Sequence, residues 1–192
     1  MIILEATKQL LTNGVYLAIL GAALAAAMAG IGSALGVSRA GQAAAAVTAE
    51  NPDLFSKVLV LQLLPATQGI YGFLIAVMVF LKINAFGEVY FLTMDQGMQM
   101  LMSCLPIAFA GFFSALYQAN VAVAGMNMIS KRPESSGQAI TMTVMVETYA
   151  ILALLVSFLL VFLGVGNTIT PESSEAARKA AELAAQMASM VA

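Results

Sequence analysis

The stretch Ala139–Val165 reads AITMTVMVETYAILALLVSFLLVFLGV, and a single residue in it, Glu147, carries a charge. Crossing a hydrocarbon core of about 30 Å takes roughly 20 helical residues, so this run is long enough to span a bilayer as one helix. An ionised carboxylate is expensive there. Acids inside spans mark ion pathways or proton relays unless they are simply kept protonated against a hydrogen-bonding neighbour. No Lys or Arg lies within the run to neutralise Glu147.

Three more runs meet the same length: approximately Val15–Val37, Val58–Leu81 and Met98–Met126. The fold class is therefore an all-α membrane protein with four transmembrane helices. Composition agrees, with 61% hydrophobic and 9% charged residues against about 25% charged in a soluble domain. There is no His, no Trp and one Cys, which removes histidine chemistry and intrachain disulfides. Cys104 reads as a small hydrophobe and the 13 Met as packing. A net charge of −2 with scattered Lys and Arg gives nucleic acid nothing to bind. Lys8 before an apolar run imitates a secretory signal, but the run is long enough to span and more spans follow, so it reads as a retained helix.

Polar residues concentrate in the connections Arg39–Lys57, Lys82–Gln96 and Ser130–Gln138, each with Gly, Pro or Asn to end a helix. The organisation is a first transmembrane hairpin over 14–81, a second over 97–165, and a polar, amphipathic tail over 166–192. An even number of spans puts both termini on one side. Arg39, Lys57, Lys131 and Arg132 belong to the first and third connections; Lys8, Lys82, Arg178 and Lys179 belong to the other side. With the tail discounted for its distance from the bilayer, the positive-inside rule makes loops 38–57 and 130–138 cytoplasmic and both termini non-cytoplasmic.

Sliding the chain along itself by 81 positions aligns Ala29 with Ala110, Gly30 with Gly111, and Ser33-Ala34-Leu35 with Ser114-Ala115-Leu116. The same shift aligns Pro52 with Pro133, Thr67 with Thr148 and Ile70 with Ile151. A fixed register through a loop proline and two helices argues for a duplicated helical hairpin rather than chance matches among alanines. Glu147 falls opposite Ala66, so the functional unit is four helices per charge. The Gly- and Ala-rich first span, with its Gly32-x-x-x-Gly36 step, allows close backbone approach and suits a crowded inner ring.

Thr67, Gln68 and Tyr71 in the second span share a helix face, and the third span adds Gln118 and Asn120. Pro65 removes a backbone donor and by itself frees the Leu61 carbonyl. Thr67 or Gln118 alone is more simply an adhesive between helices. Their coincidence with one carboxylate makes an all-oxygen cage of Glu147, Thr67, Gln68, Gln118 and a backbone carbonyl the better account, a donor set that hard cations prefer. One negative charge matches one monovalent cation.

From about Gly14 to Gly164 the sequence resembles the proteolipid, K or c, of vacuolar-type rotary ATPases, in particular the bacterial sodium-translocating kind. The most specific stretches are Leu64-Pro65-Ala66-Thr67-Gln68-Gly69-Ile70-Tyr71-Gly72-Phe73 and Met145-Val146-Glu147-Thr148-Tyr149-Ala150-Ile151-Leu152, with Gln118 and the Lys131-Arg132-Pro133-Glu134 turn in support. The resemblance implies that side-chain oxygens of Thr67, Gln68, Gln118 and Glu147 and the main-chain carbonyl of Leu64 bind sodium, and that Tyr71 bonds the carboxylate and closes the site. It places the carbonyl ligand at Leu64 where the proline argument gives Leu61, and the resemblance is followed. Proton-carrying relatives keep the Glu without the full ligand set, so sodium is preferred to H+ as cargo.

The same resemblance implies a homo-oligomeric rotor ring in the cell membrane, neutralised by its ion as it turns through lipid. A stator a-type membrane subunit would discharge the ion, a central-stalk subunit would couple the ring to a soluble ATPase, and this chain would be non-catalytic. A proton-carrying ring and a four-helix multidrug antiporter are the alternatives; the antiporter is disfavoured by the missing Trp and by a Glu in the last span. Beyond Gly166 the pattern departs from the family. Thr170 and Pro171 read as a cap and first helical position. Ala176, Ala180, Leu183, Met187 and Met190 line one side, with Glu175–Lys179 and Arg178–Glu182 pairs. Three placements are open to this tail: on the membrane surface, plugging or lining the ring's open end, or without fixed structure.

Overall fold

The computed structural model describes the backbone of residues 13–191 and the side chains of 13–187, so Lys8 and the Met190 side chain lie outside the described residues. In chain order the helices are α1 (Val15–Glu50), α2 (Phe55–Leu63), α3 (Thr67–Lys82), α4 (Met94–Lys131), α5 (Ser136–Leu159) and α6 (Pro171–Val191), with no strand among the described residues. Together α2, α3 and the 3-10 turn Leu64–Ala66 between them form the second span, so four apolar helical units are long enough to cross a membrane. The fourth ends in one wide turn, Leu160–Gly164, and a 3-10 turn, Val165–Asn167.

Two connections are shorter than their polarity suggests. Polarity places the first over Arg39–Lys57, but α1 continues to Glu50; it places the third over Ser130–Gln138, but α4 continues to Lys131. A helix need not end where the bilayer does, and the run Ala43-Ala44-Ala45-Ala46 has the highest helix propensity available. At 36 and 38 residues, α1 and α4 are about 54 and 57 Å long at 1.5 Å per residue, well beyond a core of about 30 Å. Both stop for the same reason. Asn51 and Arg132 each precede a proline and leave the helical region, with φ/ψ of −143/97 and −141/87, because a following proline ring disfavours that region. Short 3-10 turns, Pro52–Leu54 and Pro133–Ser135, then reverse the chain.

These helix ends and turns recur at the 81-residue offset, so the duplication is one of structure as well as sequence. The second connection is closed by a capping box: the Thr93 hydroxyl accepts the Gln96 N–H and the Gln96 side chain accepts the Thr93 N–H.

The most extensive interface joins α1 to α4, two helices running parallel. Glycine sets their separation. A Cβ on Gly32 would lie 2.6 Å from the Phe112 carbonyl oxygen, one on Gly36 2.8 Å from that of Ala115, and one on Gly14 2.0 Å from that of Thr93. The Gly32–Gly36 step therefore faces the sister hairpin within the chain. Arg39 donates to Asn120 Oδ1 across this seam, two positions related by the repeat. Two apolar clusters fill the bundle, one around Ala22, Ile75, Val79, Met100 and Val161, the other around Ala40, Val58, Leu61, Met126 and Ile129. Free Cys104 is fully buried in the first.

The tail forms α6. Thr170 and Ser173 cap it reciprocally, each hydroxyl accepting the other's N–H, and Ser174 Oγ accepts the Phe91 N–H at 2.7 Å, tying it to the second connection. Of the two expected pairs, Arg178–Glu182 forms at 3.2 Å. Glu175–Lys179 does not: Arg178–Glu182 is the one ion pair among the described residues, and exposed pairs of this kind gain little.

Candidate ion-binding site

Between the two apolar clusters, every spanning helix contributes a buried polar side chain: Ser33, Gln68, Gln118, and Thr143 with Glu147. Glu147 stands on α5 and is 7% exposed. Tyr71 on α3 donates its hydroxyl to Glu147 Oε1 at 2.6 Å, a length typical of a charge-assisted bond. One turn away, Gln68 Nε2 donates to Gln118 Oε1 at 2.5 Å, and Gln118 Nε2 donates to the Thr143 carbonyl at 3.2 Å. Since Gln68 and Tyr71 are three apart and Thr143 and Glu147 four apart, these are successive rungs across the same helices.

The second span changes to a 3-10 turn at Pro65. Its 3-10 turn, Leu64–Ala66, puts the Leu64 carbonyl 3.0 Å from the Thr67 hydroxyl, which donates to it. Two oxygens are thereby paired beside Gln68. Among the described residues, Gln68 Oε1 is the one buried side-chain polar atom with no hydrogen-bond partner. Leaving such an acceptor buried and unsatisfied costs about 1–3 kcal/mol, so its persistence points to a missing donor or cation. Gln118 Oε1 keeps a second lone pair beyond its bond to Gln68.

Energetics lead to the same place. An ionised carboxylate out of water costs several kcal/mol even after relaxation, and a hydrogen bond to a charged group returns about 1.5–3 kcal/mol. One Tyr hydroxyl returns only part of that cost, and a bound cation would supply more. Glu147 is the one Asp or Glu in the four apolar runs, so a single negative charge is offered, which suits a monovalent ion.

The six residues singled out from the sequence pair off through three separate hydrogen bonds: Thr67 with Leu64, Gln68 with Gln118, and Tyr71 with Glu147. Leu61, whose carbonyl the proline argument alone indicates, has its side chain in the second apolar cluster. Sequence reading missed Ser33 and Thr143. Thr143 presents a main-chain oxygen, which no side-chain pattern reports.

A duplicated hairpin with Gly-packed parallel helices and one buried carboxylate defines an ion-translocating proteolipid. The model of the ATP synthase C-subunit family matches the chain twice, over residues 20–79 and 101–160, both ends displaced by the same 81 positions. The chain belongs to this family. It is 46% identical over 149 residues to the "V-type sodium ATPase subunit K" of Enterococcus hirae, covering 78% of this chain and 92% of that protein. It is also 34% identical over 150 residues to the "A-type ATP synthase subunit K" of Methanocaldococcus jannaschii, covering 78% of this chain and 64% of that protein. The chain is thus a non-catalytic, ion-translocating membrane component of a rotary ATPase. Family membership displaces the antiporter alternative.

Proposed function

We propose that the chain forms the rotor ring of a sodium-translocating V-type ATPase and carries one Na+ per copy on Glu147. The observation that carries this reading is the buried Gln68 Oε1 left without a partner on the rung beside the Tyr71–Glu147 bond. Leu64 O, Thr67 Oγ, Gln68 Oε1, Gln118 Oε1 and the Glu147 carboxylate form the donor set, all oxygen, as a hard cation requires. The name of the Enterococcus hirae relative supports sodium as the ion.

In this mechanism bound sodium cancels the Glu147 charge, so the occupied site passes through lipid. At the stator's a-type subunit, a basic group and an aqueous path draw the ion off and recharge the site. Each elementary charge moved across the membrane is worth about 2.3 kcal/mol per 100 mV, which links rotation to ion flow. Tyr71 closes the loaded site by holding one carboxylate oxygen in place. The ends of α1 and α4 beyond the bilayer, with Arg39, Lys57, Lys131 and Arg132, face the cytoplasm and present a platform to the central stalk.

Ring closure follows from the repeat. The operation that carries the first hairpin onto the second sets α1 and α4 parallel and side by side, and repeating such a head-to-tail step builds a ring if the rotation closes.

The test is reaction of Glu147 with dicyclohexylcarbodiimide in purified rings. Sodium is expected to protect the carboxylate, more strongly as pH rises and protons compete less. Absence of protection at any pH assigns protons as the cargo. In the complex reconstituted into liposomes, Glu147→Gln is expected to abolish both labelling and sodium uptake driven by ATP; uptake that survived the substitution would remove Glu147 from the path.

A further inference from the structure

Pro65 breaks the second span directly before the residues that make up the site. Across this turn the backbone bonding tightens to the 3-10 pattern, with the Thr67 N–H on the Leu64 carbonyl. Gly69 is in the first turn of α3, and its N–H donates at 2.7 Å to Ser33 Oγ on α1. The same hydroxyl donates, at 3.4 Å, to the carbonyl of Ala66 in the 3-10 turn. Ser33 is 7% exposed, so water is a poor substitute for either bond. The approach is close: a Cβ on Gly69 would lie 3.0 Å from Ser33 Oγ. Ser33 therefore grips both sides of Thr67 and Gln68, the latter being the residue with the unpaired oxygen.

The duplicated hairpin supplies an internal control. Ser114 is the repeat counterpart of Ser33, yet its hydroxyl turns back on its own helix, to the Gly111 carbonyl at 3.4 Å. Val146 stands where the first hairpin has Pro65, and α5 runs unbroken through it. The serine bridges helices only in the hairpin whose outer helix is broken. We infer that Ser33 is a positioning residue of the ion site, a capping group supplied from the neighbouring helix that fixes the 64–69 turn and with it the Leu64, Thr67 and Gln68 oxygens.

This inference rests on reading that site as a sodium site, and one experiment separates the two. In intact rings, the sodium concentration that half-protects Glu147 from dicyclohexylcarbodiimide is measured for the wild type, Ser33→Ala and Ser114→Ala. Ser33→Ala is expected to raise it about tenfold, equivalent to about 1.4 kcal/mol, with labelling in the absence of sodium and the temperature of ring dissociation unchanged. Ser114→Ala is expected to leave all three readouts at wild-type values. A wild-type ring that sodium does not protect overturns the sodium reading and this inference with it. With a protected wild type, Ser33 is only a packing residue if Ser33→Ala keeps the wild-type value, if both serine variants shift together, or if Ser33→Ala fails to assemble.

Discussion

At the scale of single residues, the proposed site assigns the bond from Tyr71 to Glu147 the task of keeping a loaded site closed. Removing the hydroxyl leaves a carboxylate oxygen without its donor, and bonds to charged groups are worth about 1.5–3 kcal/mol. Tyr71→Phe is therefore expected to raise the half-protecting sodium concentration by about ten- to a hundredfold while the ring still assembles; an unchanged value would mean that the bond is idle in the loaded state. Glu147 and its neighbours were legible in the sequence because each is a polar residue inside an apolar run, where anything polar stands out. Ser33 was not legible. Small residues in a Gly- and Ala-rich helix look like packing, and its partner Gly69 offers only a backbone N–H from another helix. The 3-10 turn at Leu64–Ala66 was equally hidden, since it depends on the local backbone and not on which residues are present.

At the scale of elements, length of helix and length of span are separate quantities. Hydropathy marks where α1 leaves the bilayer, whereas helix propensity and the Asn51-Pro52 stop decide where it ends, which is why the polar Arg39–Glu50 segment misleads when read as a loop. Contact between helices follows from which glycines face a neighbour. On α1, Gly32 abuts the Phe112 backbone, whereas a Cβ on Gly30 meets nothing within 4 Å. Backbone atoms have no rotamer with which to yield, so Gly32→Ala must push α1 and α4 apart at a cost of about 1–3 kcal/mol. Gly30→Ala relieves a poor helix former by up to about 1 kcal/mol. Heating rings in detergent checks both: Gly32→Ala is expected to lower the dissociation temperature, and Gly30→Ala to hold or raise it. Equal behaviour of the two would show that the α1–α4 seam does not limit stability.

At the scale of the whole molecule, the 81-residue repeat converts contacts inside one chain into an expected contact between two. Gly21 meets Leu101 and Gly32 meets Phe112 across the internal seam. Advancing each pair by one repeat sets Met102 of one copy opposite Leu20 of the next, and Phe113 opposite Ile31. All four side chains are about half exposed in the single chain, at 53%, 48%, 50% and 54%, as an unfilled interface demands. The two seams are not copies, however. Where the internal one has glycine, the external one has Met102 and Phe113, so neighbouring chains must stand farther apart than the sister hairpins do, with side chains filling the gap. The repeat was readable from the sequence, but this inequality was not, because it depends on which helix face each glycine occupies. The same shift carries Tyr71 to Leu152 and Glu147 to Ala66, so the groove expected between copies has no counterpart of the Tyr71–Glu147 bond. Cysteines at Ile31 and Phe113, introduced together and joined by a short bis-maleimide, are accordingly expected to give a ladder of covalent multimers, while either alone gives none. Cys104, fully buried, stays silent. Rings that keep their size yet yield only monomer from the double variant would show that the step between copies is not the step between hairpins.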